Sequence, residues 1–266
     1  MLNTAFIGLG SQGGPMAERM LAAGFPLTVW GRRREALQPF AEKGAVLAEN
    51  VAALGAAADH VGICVVDDAG VAEVCNALVP SMRPGSLLAV HSTILPESCE
   101  ALAAICEARR IAFVDAPVSG GGGAATAGTL TVMCGGSAAA FEQARPIFKA
   151  FAGTLVHLGG AGAGQRAKIV NNALMAANMG NAHAAIEAGR ALGMAPEALK
   201  DLIKASSGRS FGFEVYARLP EPKAFSHGAA LLRKDVDLLR AILPDGSDTR
   251  TLGEAADHFL EEAVAP

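Results

Sequence analysis

The sequence predicts an α/β fold: a doubly wound, mostly parallel sheet interleaved with helices, followed by an all-helical C-terminal domain. Three observations carry this expectation. Short, continuous apolar runs alternate with helix-period stretches as far as His157, the pattern of parallel strands covered on both faces. Beyond Gly164 the strand pattern stops and long alanine-rich stretches of helical period take over. The run Gly159-Gly160-Ala161-Gly162-Ala163-Gly164 interrupts both patterns, which divides the chain into a domain of residues 1–162 and a second of residues 163–266.

The elements follow in order. Thr4–Ile7 is a short apolar strand that enters Gly8-Leu9-Gly10-Ser11-Gln12-Gly13, after which Met16, Met20 and Leu21 recur at helical spacing. Pro26–Trp30 is the second strand and completes a strand-helix-strand unit. Val61–Val66, Leu87–Val90 and Ile111–Val114 are further strands, separated by helices such as Pro96–Arg109. Thr129–Cys134 and Thr154–His157 read as edge strands, and Gly120–Gly123 as a low-complexity connection. Past the glycine run, helices are expected at 165–193, Pro196–Ala205, Ala229–Leu243 and Leu252–Val264. The first of these carries Ile169, Leu174, Met175, Met179 and Ile186 around much of its circumference, more apolar surface than a single chain is expected to cover.

Composition limits the function classes. A chain of 266 residues with 51% hydrophobic and 18% charged residues can bury a core in each of two domains. A net charge of −4 and a pI of about 5.9 leave no electrostatic footprint for nucleic acid or an anionic membrane. The segment Met1–Gly10 reads as a strand and turn rather than a charged-then-apolar leader, so the cytoplasm is the expected compartment. Asn171, Asn172, Asn178, Asn181, His183 and Glu187 make the long helix too polar to span a bilayer. Five cysteines, an odd number without a C-x-x-C pair, read as reduced core thiols, and the scattered histidines His91, His157, His183 and His227 give no reason to expect a metal.

The motifs are more specific. Gly8-x-Gly10-x-x-Gly13 stands between a strand and a helix, the context a Rossmann-type dinucleotide turn requires. Gly8 makes the tight turn, Gly10 lets the backbone approach a pyrophosphate, Gly13 lets the helix pack closely, and Leu9 and Gln12 share the loop. The second strand ends in Trp30-Gly31-Arg32-Arg33-Arg34, with arginine where an NAD enzyme usually carries an acid. Arg32, then Arg33, are the residues expected to meet a 2′-phosphate, which predicts NADP(H) over NAD(H); solvated charges at a helix start are the plain alternative. Val65, near the end of the third expected strand, is counted with the cofactor residues.

Asp115-Ala116-Pro117-Val118-Ser119-Gly120-Gly121 follows a strand and so lies at the carboxyl edge of the sheet, where open α/β folds bind ligands. Backbone N–H groups of Gly120 and Gly121 with the Ser119 hydroxyl suit a carboxylate, unless the segment is only a flexible connection. His91-Ser92-Thr93 also ends a strand, and its hydroxyls either face the nicotinamide or cap the next helix. Lys168 and Asn172 stand four residues apart on one helix face, with Ala167, Ile169 and Val170 making an ordinary surface role for the lysine less attractive.

In combination these motifs are recognisable. Gly8 to Met16, Ser92-Thr93 with Pro96, the 115–121 segment, Gly128-Thr129-Leu130, Gly164-x-x-x-Lys168-x-x-x-Asn172 and Lys234-Asp235 occur in order. Over residues 3–242 the chain resembles the β-hydroxyacid dehydrogenase family, which includes 3-hydroxyisobutyrate dehydrogenase, tartronate semialdehyde reductase and glyoxylate/succinic semialdehyde reductases. The resemblance implies that Lys168 is the catalytic acid/base, that Ser119, Gly120 and Gly121 contact a substrate carboxylate, and that Asn172 orients the substrate. It also implies that Thr93 and Lys234 contact the nicotinamide end of the cofactor, and that the helical domain assembles a homodimer or homotetramer.

Two features depart from the family pattern. Relatives usually have a longer helical region after the Lys234 helix, whereas this chain passes Pro244–Asp248 and ends at Pro266. Ser207–Phe213 occupies the region that shapes the family's substrate pocket, with phenylalanines where a tryptophan is often found, and with Arg209 as either a partner for a second acidic group or a loop charge. The expected reaction is hydride transfer between NADP(H) and a small β-hydroxy acid or its semialdehyde or keto acid, the proton passing through Lys168. The rival readings are an imine reductase of the same fold, against which Lys168 argues, and a nucleotide-binding protein without catalysis.

Overall fold

The computed structural model describes residues 2–244 and 250–264. It divides into two compact units, Met1–Lys168 and Ile169–Pro266. The first is built from β1 (Thr4–Ile7), α1 (Gly13–Ala22), β2 (Leu27–Trp30), α2 (Gln38–Glu42), β3 (Val46–Leu47), α3 (Val51–Ala57), β4 (His60–Ile63), α4 (Asp68–Leu78), β5 (Leu87–Val90), α5 (Pro96–Ala108), β6 (Ala112–Asp115), β7 (Val118–Ser119), α6 (Gly121–Ala127), β8 (Leu130–Gly136), α7 (Ala138–Phe148) and β9 (Ala152–His157). The long helix α8 (Ala163–Ala191) begins in this unit and runs on into the second, which adds α9 (Pro196–Lys204), α10 (Phe211–Ala217), α11 (Ser226–Ile242) and α12 (Arg250–Val264).

The strands form one sheet in the order β3-β2-β1-β4-β5-β6-β8-β7, with β9 pairing on β8. The pairs from β3 through to β6 are all parallel, in register from Thr4↔Leu27 and Thr4↔His60 to Val90↔Asp115. The two-fold period of β1 sends Phe6 into one core and Ala5 and Ile7 into the other. Met16, Phe40, Ala144 and Phe148 cover the first face, and Leu54, Val71, Leu78 and Cys99 the second. Burial on both sides is why these strands read as unbroken apolar runs. Their parallel pairing directs every loop that follows β1, β4, β5 and β6 to the same edge of the sheet.

The helices start where local chemistry satisfies their first N–H groups. Asn50 accepts from Ala53 N–H, Asp67 from Gly70 N–H, Ser137 from Ala140 N–H and Ser210 from Phe213 N–H. In the second unit, Ile169, Ala173, Ala176, Met179 and Ile186 of α8 pack with Phe213 of α10, Val236 and Leu239 of α11, and Phe259 and Leu260 of α12. No helix among the described residues is long and apolar enough to cross a membrane. The five cysteines are free thiols, four of them buried.

Several elements differ from the sequence expectation, each for a local reason. The strand expected at Val61–Val66 ends at Ile63, because Val65 N–H turns out of the ladder to the Ser92 hydroxyl at 2.8 Å. The strand expected at Thr129–Cys134 as an edge is interior: β8 runs antiparallel to β6 and β7 and parallel to β9. β3 and β7 have two residues each, too few for a period to register. The glycine tract from Gly121 forms the first turn of α6 despite the poor helix propensity of glycine, and Phe211–Ala217, where the sequence pattern predicts no helix, is helical. The first turn of α8 belongs to the first unit, so the division falls six residues beyond the expected 162/163 boundary, between Lys168 and Ile169. The segment Pro244–Asp248, which the chain passes after the Lys234 helix, lies, past Pro244, outside the described residues.

Candidate active site

In the first unit the candidate residues gather at the carboxyl edge of the sheet. The turn after β1 is forced by contact: Gly8 has φ +95°, and a Cβ there would overlap the carbonyl of Cys64 at the end of β4. At Gly13 a Cβ would overlap the Gly8 carbonyl, so α1 can start this close to the strand only on glycine. Gly10, by contrast, faces open space, with nothing within 4 Å of a Cβ built on it. Gln12, the residue before α1, makes no side-chain capping bond. Room beside Gly10 and a helix start without a side-chain cap are what a pyrophosphate needs from this loop. Leu9 is half-buried against the core on the Phe6 side of the sheet.

Beyond β2, Arg32, Arg33 and Arg34 are exposed, and none makes an ion pair among the described residues. Past β4, Cys64 and Val65 are half-buried. Past β5, Ser92 and Thr93 part company. Ser92 is buried, accepts from Val65 N–H through its hydroxyl and from Gln165 Nε2 through its carbonyl, at 2.8 and 2.9 Å. Thr93 is half-buried. Neither caps α5, which starts at Pro96 behind Leu95 with no side-chain capping bond. The expectation that both hydroxyls face a ligand therefore fails for Ser92, whose hydroxyl is bonded inside the fold.

Asp115 closes β6 and is fully buried. It is not a free acid at the edge: its Oδ1 accepts from Gly162 N–H at 2.8 Å and its Oδ2 from Gln165 N–H at 2.9 Å. Burial pushes this carboxyl above its ordinary value, and the backbone N–H groups of Gly162, Gln165 and Gly164 oppose that rise. The carboxylate thus holds the first turn of α8. Ser119 is half-buried, Gly120 is exposed and Gly121 half-buried, with φ +129° and +70° at the two glycines. The following helix α6 lies beside the glycine turn, so close that a Cβ at Gly122 would meet Ser11 O at 2.7 Å.

Lys168 is buried, with 8% of its surface exposed. Its surroundings register on Cys64: burial pushes that thiol up to about 11, while the Gly13 backbone N–H and the Lys168 ammonium both pull it down. One cysteine at the end of β4 therefore abuts Gly8, accepts from Gly13 and senses Lys168. The glycine turn and the lysine occupy one locality.

The second unit holds the remaining candidates. Asn172 donates from Nδ2 to Asp235 Oδ2 at 2.5 Å. Asp235 is 3% exposed, and its Oδ1 has no hydrogen-bond partner among the described residues; Lys234 Nζ stands 3.6 Å from it, beyond hydrogen-bond range but within ion-pair range. Asn172 and Lys234 are brought together through this carboxylate, which the sequence reading quoted within a motif but gave no part. The signal for it was an acid beside Lys234 in a helix whose apolar stripe runs Leu232, Val236, Leu239. Of the segment Ser207–Phe213, Ser210 caps α10 and Phe213 is buried in the helical core, whereas Phe211 is 67% exposed and Arg209 is exposed.

Comparison with known proteins gives the family and the fold. Residues 3–159 match the profile of the NAD binding domain of 6-phosphogluconate dehydrogenase, and residues 162–265 that of the NAD-binding domain of NADP-dependent 3-hydroxyisobutyrate dehydrogenase. The chain is 36% identical over 275 residues to an NAD-dependent L-serine dehydrogenase of Pseudomonas aeruginosa, covering 96% of this chain and 90% of that one. It is 34% identical over 272 residues to human mitochondrial 3-hydroxyisobutyrate dehydrogenase, covering 98% and 81%. Among solved structures, the 3-hydroxyisobutyrate dehydrogenase of Mycobacterium tuberculosis with L-serine superposes with a TM-score of 0.87 at 28% identity, covering 98% of this chain and 93% of that one.

Proposed function

Since the chain belongs to the β-hydroxyacid dehydrogenase family, we propose that it interconverts a small β-hydroxy acid and the corresponding semialdehyde or keto acid, with NADP(H) preferred over NAD(H) and Lys168 as proton donor and acceptor. The observation that supports this most is the buried ammonium of Lys168 beside the glycine turn, registered on Cys64. A lysine is seldom buried without a partner or a purpose. Lys168 has interactions within the fold, and the carboxylate that fastens its helix turn, Asp115, is engaged with backbone N–H groups.

The residues present fit a dinucleotide. Gly8, Leu9, Gly10, Gln12 and Gly13 would hold its pyrophosphate, Arg32 and Arg33 a 2′-phosphate, and Val65, Thr93 and Lys234 its nicotinamide end. When bound, the dinucleotide supplies or accepts a hydride. Ser119, Gly120 and Gly121 anchor the substrate carboxylate through a hydroxyl and backbone N–H groups. In the reducing direction Lys168 donates an N–H hydrogen bond to the carbonyl oxygen, stabilises the negative charge that grows there, and transfers the proton. In the oxidising direction neutral Lys168 takes the hydroxyl proton. Asn172, its amide held by Asp235, orients the substrate oxygen. The relatives' names specify L-serine and 3-hydroxyisobutyrate, both β-hydroxy carboxylic acids, and these head the candidates. The helical unit is the proposed site of homodimer or homotetramer assembly.

The test is oxidation of NADPH with a panel of small semialdehydes and keto acids, together with reduction of NADP+ by L-serine, 3-hydroxyisobutyrate and related β-hydroxy acids. Turnover on a carboxylate-bearing compound is expected, and Lys168→Ala should lower kcat by about 10²- to 10⁴-fold with the Kd for NADPH nearly unchanged. Turnover confined to cyclic imines, or a fully active Lys168→Ala, would remove the proposal.

A further inference from the structure

We infer that Gln165 is a positioning residue for Lys168: its buried side-chain amide ties the first turn of α8 to the loop after β5 and so fixes where the lysine ammonium lies. The inference rests on the reading of Lys168 as the proton donor. Gln165 is fully buried and is hydrogen-bonded to two segments of the sheet edge, the end of β6 and the loop after β5. Its backbone N–H goes to Asp115 Oδ2 at the end of β6, its Oε1 accepts from Ile94 N–H at 3.2 Å, and its Nε2 donates to Ser92 O at 2.9 Å. Ser92 in turn accepts from Val65 N–H past β4. On its other side, the loop after β5 is held by Asp68, whose Oδ1 accepts from Leu95 N–H at 3.0 Å. The end of β6 is thereby joined to α8 through the Gln165 backbone and the ends of β5 and β4 through its side chain, and Lys168 stands three residues later, on the same helix face. The loop so fixed also carries Thr93.

The choice of side chain follows from the bonds required. Ile94 N–H needs an acceptor and Ser92 O needs a donor, at the ends of one planar group in a site closed to water. An amide offers both; an ionised carboxylate cannot donate, and a thioether cannot donate and accepts only weakly. A carboxyl introduced here would also lie close to the buried carboxylate of Asp115, so burial and like charge would raise its pKa well above the ordinary ~4.3. Protonated, it regains one donor and one acceptor.

The substitutions Gln165→Met and Gln165→Glu separate positioning from mere support. Gln165→Met is expected to lower kcat by about tenfold or more, because small misplacements of a reacting group are costly, with the KM for NADPH within about twofold. Gln165→Glu is expected to be as impaired near pH ~8 and to recover kcat towards pH ~6 as its carboxyl protonates, a recovery that Gln165→Met does not share. A readout independent of turnover is the NMR titration of 13C-dimethylated Lys168, assigned with Lys168→Arg, whose midpoint should differ between wild type and Gln165→Met. Wild-type kcat and pH profile in both variants, or an unchanged Lys168 titration, would overturn the inference, as would loss of the fold in both by circular dichroism. If the wild type turns over no hydroxy acid or semialdehyde, the hydride-transfer reading fails by itself, and the Lys168 titration alone decides the positioning role.

Discussion

Asn172 hands its amide N–H to Asp235 across two helices of the second unit, at 2.5 Å. Because an ionised carboxylate can only accept, this bond fixes which end of the amide faces Asp235 and turns Oδ1 the other way, where Asn171 Nδ2 meets it at 3.2 Å. An orientation that a rotating amide would otherwise lose is held by a buried charge.

That pairing predicts coupling. Asn172→Ala and Asp235→Ala should each lower kcat more than they raise the KM for NADPH, and the double variant should lose less than the sum. Double-mutant cycles on such contacts return about 0.5–3 kcal/mol. Strict additivity in kcat/KM would mean that the two side chains act independently.

Arg32 and Arg33 stand exposed after β2 without an ion pair among the described residues, so they are available to a phosphate. A charge-assisted hydrogen bond contributes about 1.5–3 kcal/mol, and Arg32→Asp should therefore lower the NADPH/NADH ratio of kcat/KM by about 10- to 100-fold. A wild-type enzyme that prefers NADH would refute the cofactor assignment, and so would a variant with the ratio unchanged.

Asp115 accepts from Gly162 and Gln165 with its two oxygens. In Asp115→Asn one of those N–H groups would face an NH2, leaving a buried donor unmatched at a cost of about 1–3 kcal/mol. The expected result is a lower urea midpoint with the slope of ΔG against urea preserved. A variant as stable as wild type would mean that α8 does not depend on this carboxylate.

Two histidines set an acid limit on the first unit. His60 and His91 are buried among Phe6, Phe148 and Phe151, and His91 Nδ1 lies 2.8 Å from the carbonyl of Ala116, which requires the proton on that nitrogen. Burial pushes His60 down to about 3, helped by the charge of His91, and His91 down to about 4, opposed by its bond to Ala116. The unfolded chain takes up protons at both below pH ~6.5, while the folded protein does so only near those lower values. Stability is therefore unaffected by these groups above pH ~6.5 and falls as pH drops towards 4, by up to about 1.4 kcal/mol per pH unit for each histidine. Measured between pH ~6.5 and ~4.5, His60→Leu should show a shallower loss than wild type; parallel curves would argue that the group is not neutral in the fold.

Val170 and Leu174, one turn apart on α8, are 50% and 49% exposed. Their burial in an assembly would account for the apolar surplus of that helix. Val170→Asp with Leu174→Asp should shift the mass measured by light scattering to that of a single chain, whereas an unchanged mass would place the contact elsewhere.

Much of the first unit was legible in the sequence because parallel strands buried on both faces advertise themselves as apolar runs, and because Gly8 and Gly13 after β1 are demanded by backbone contacts that no other residue tolerates. Lys168 was legible for a related reason: a charge amid apolar helix neighbours is conspicuous. What the one-dimensional pattern could not convey was which polar groups are consumed inside the fold. Ser92 looked like a ligand-facing hydroxyl and is instead bonded to Val65 N–H; Asp115 looked like part of a binding loop and instead holds the start of α8. Gln165 gave no periodic or spacing signal and Asp235 only its place beside Lys234 along an apolar stripe, and neither pointed to a partner, since the partners are 50 to 73 residues away for the first and 63 for the second. Local sequence determines period, turns and caps, which depend on near neighbours. The pairing of a buried donor with its acceptor depends on distant segments meeting, and only the tertiary structure decides that.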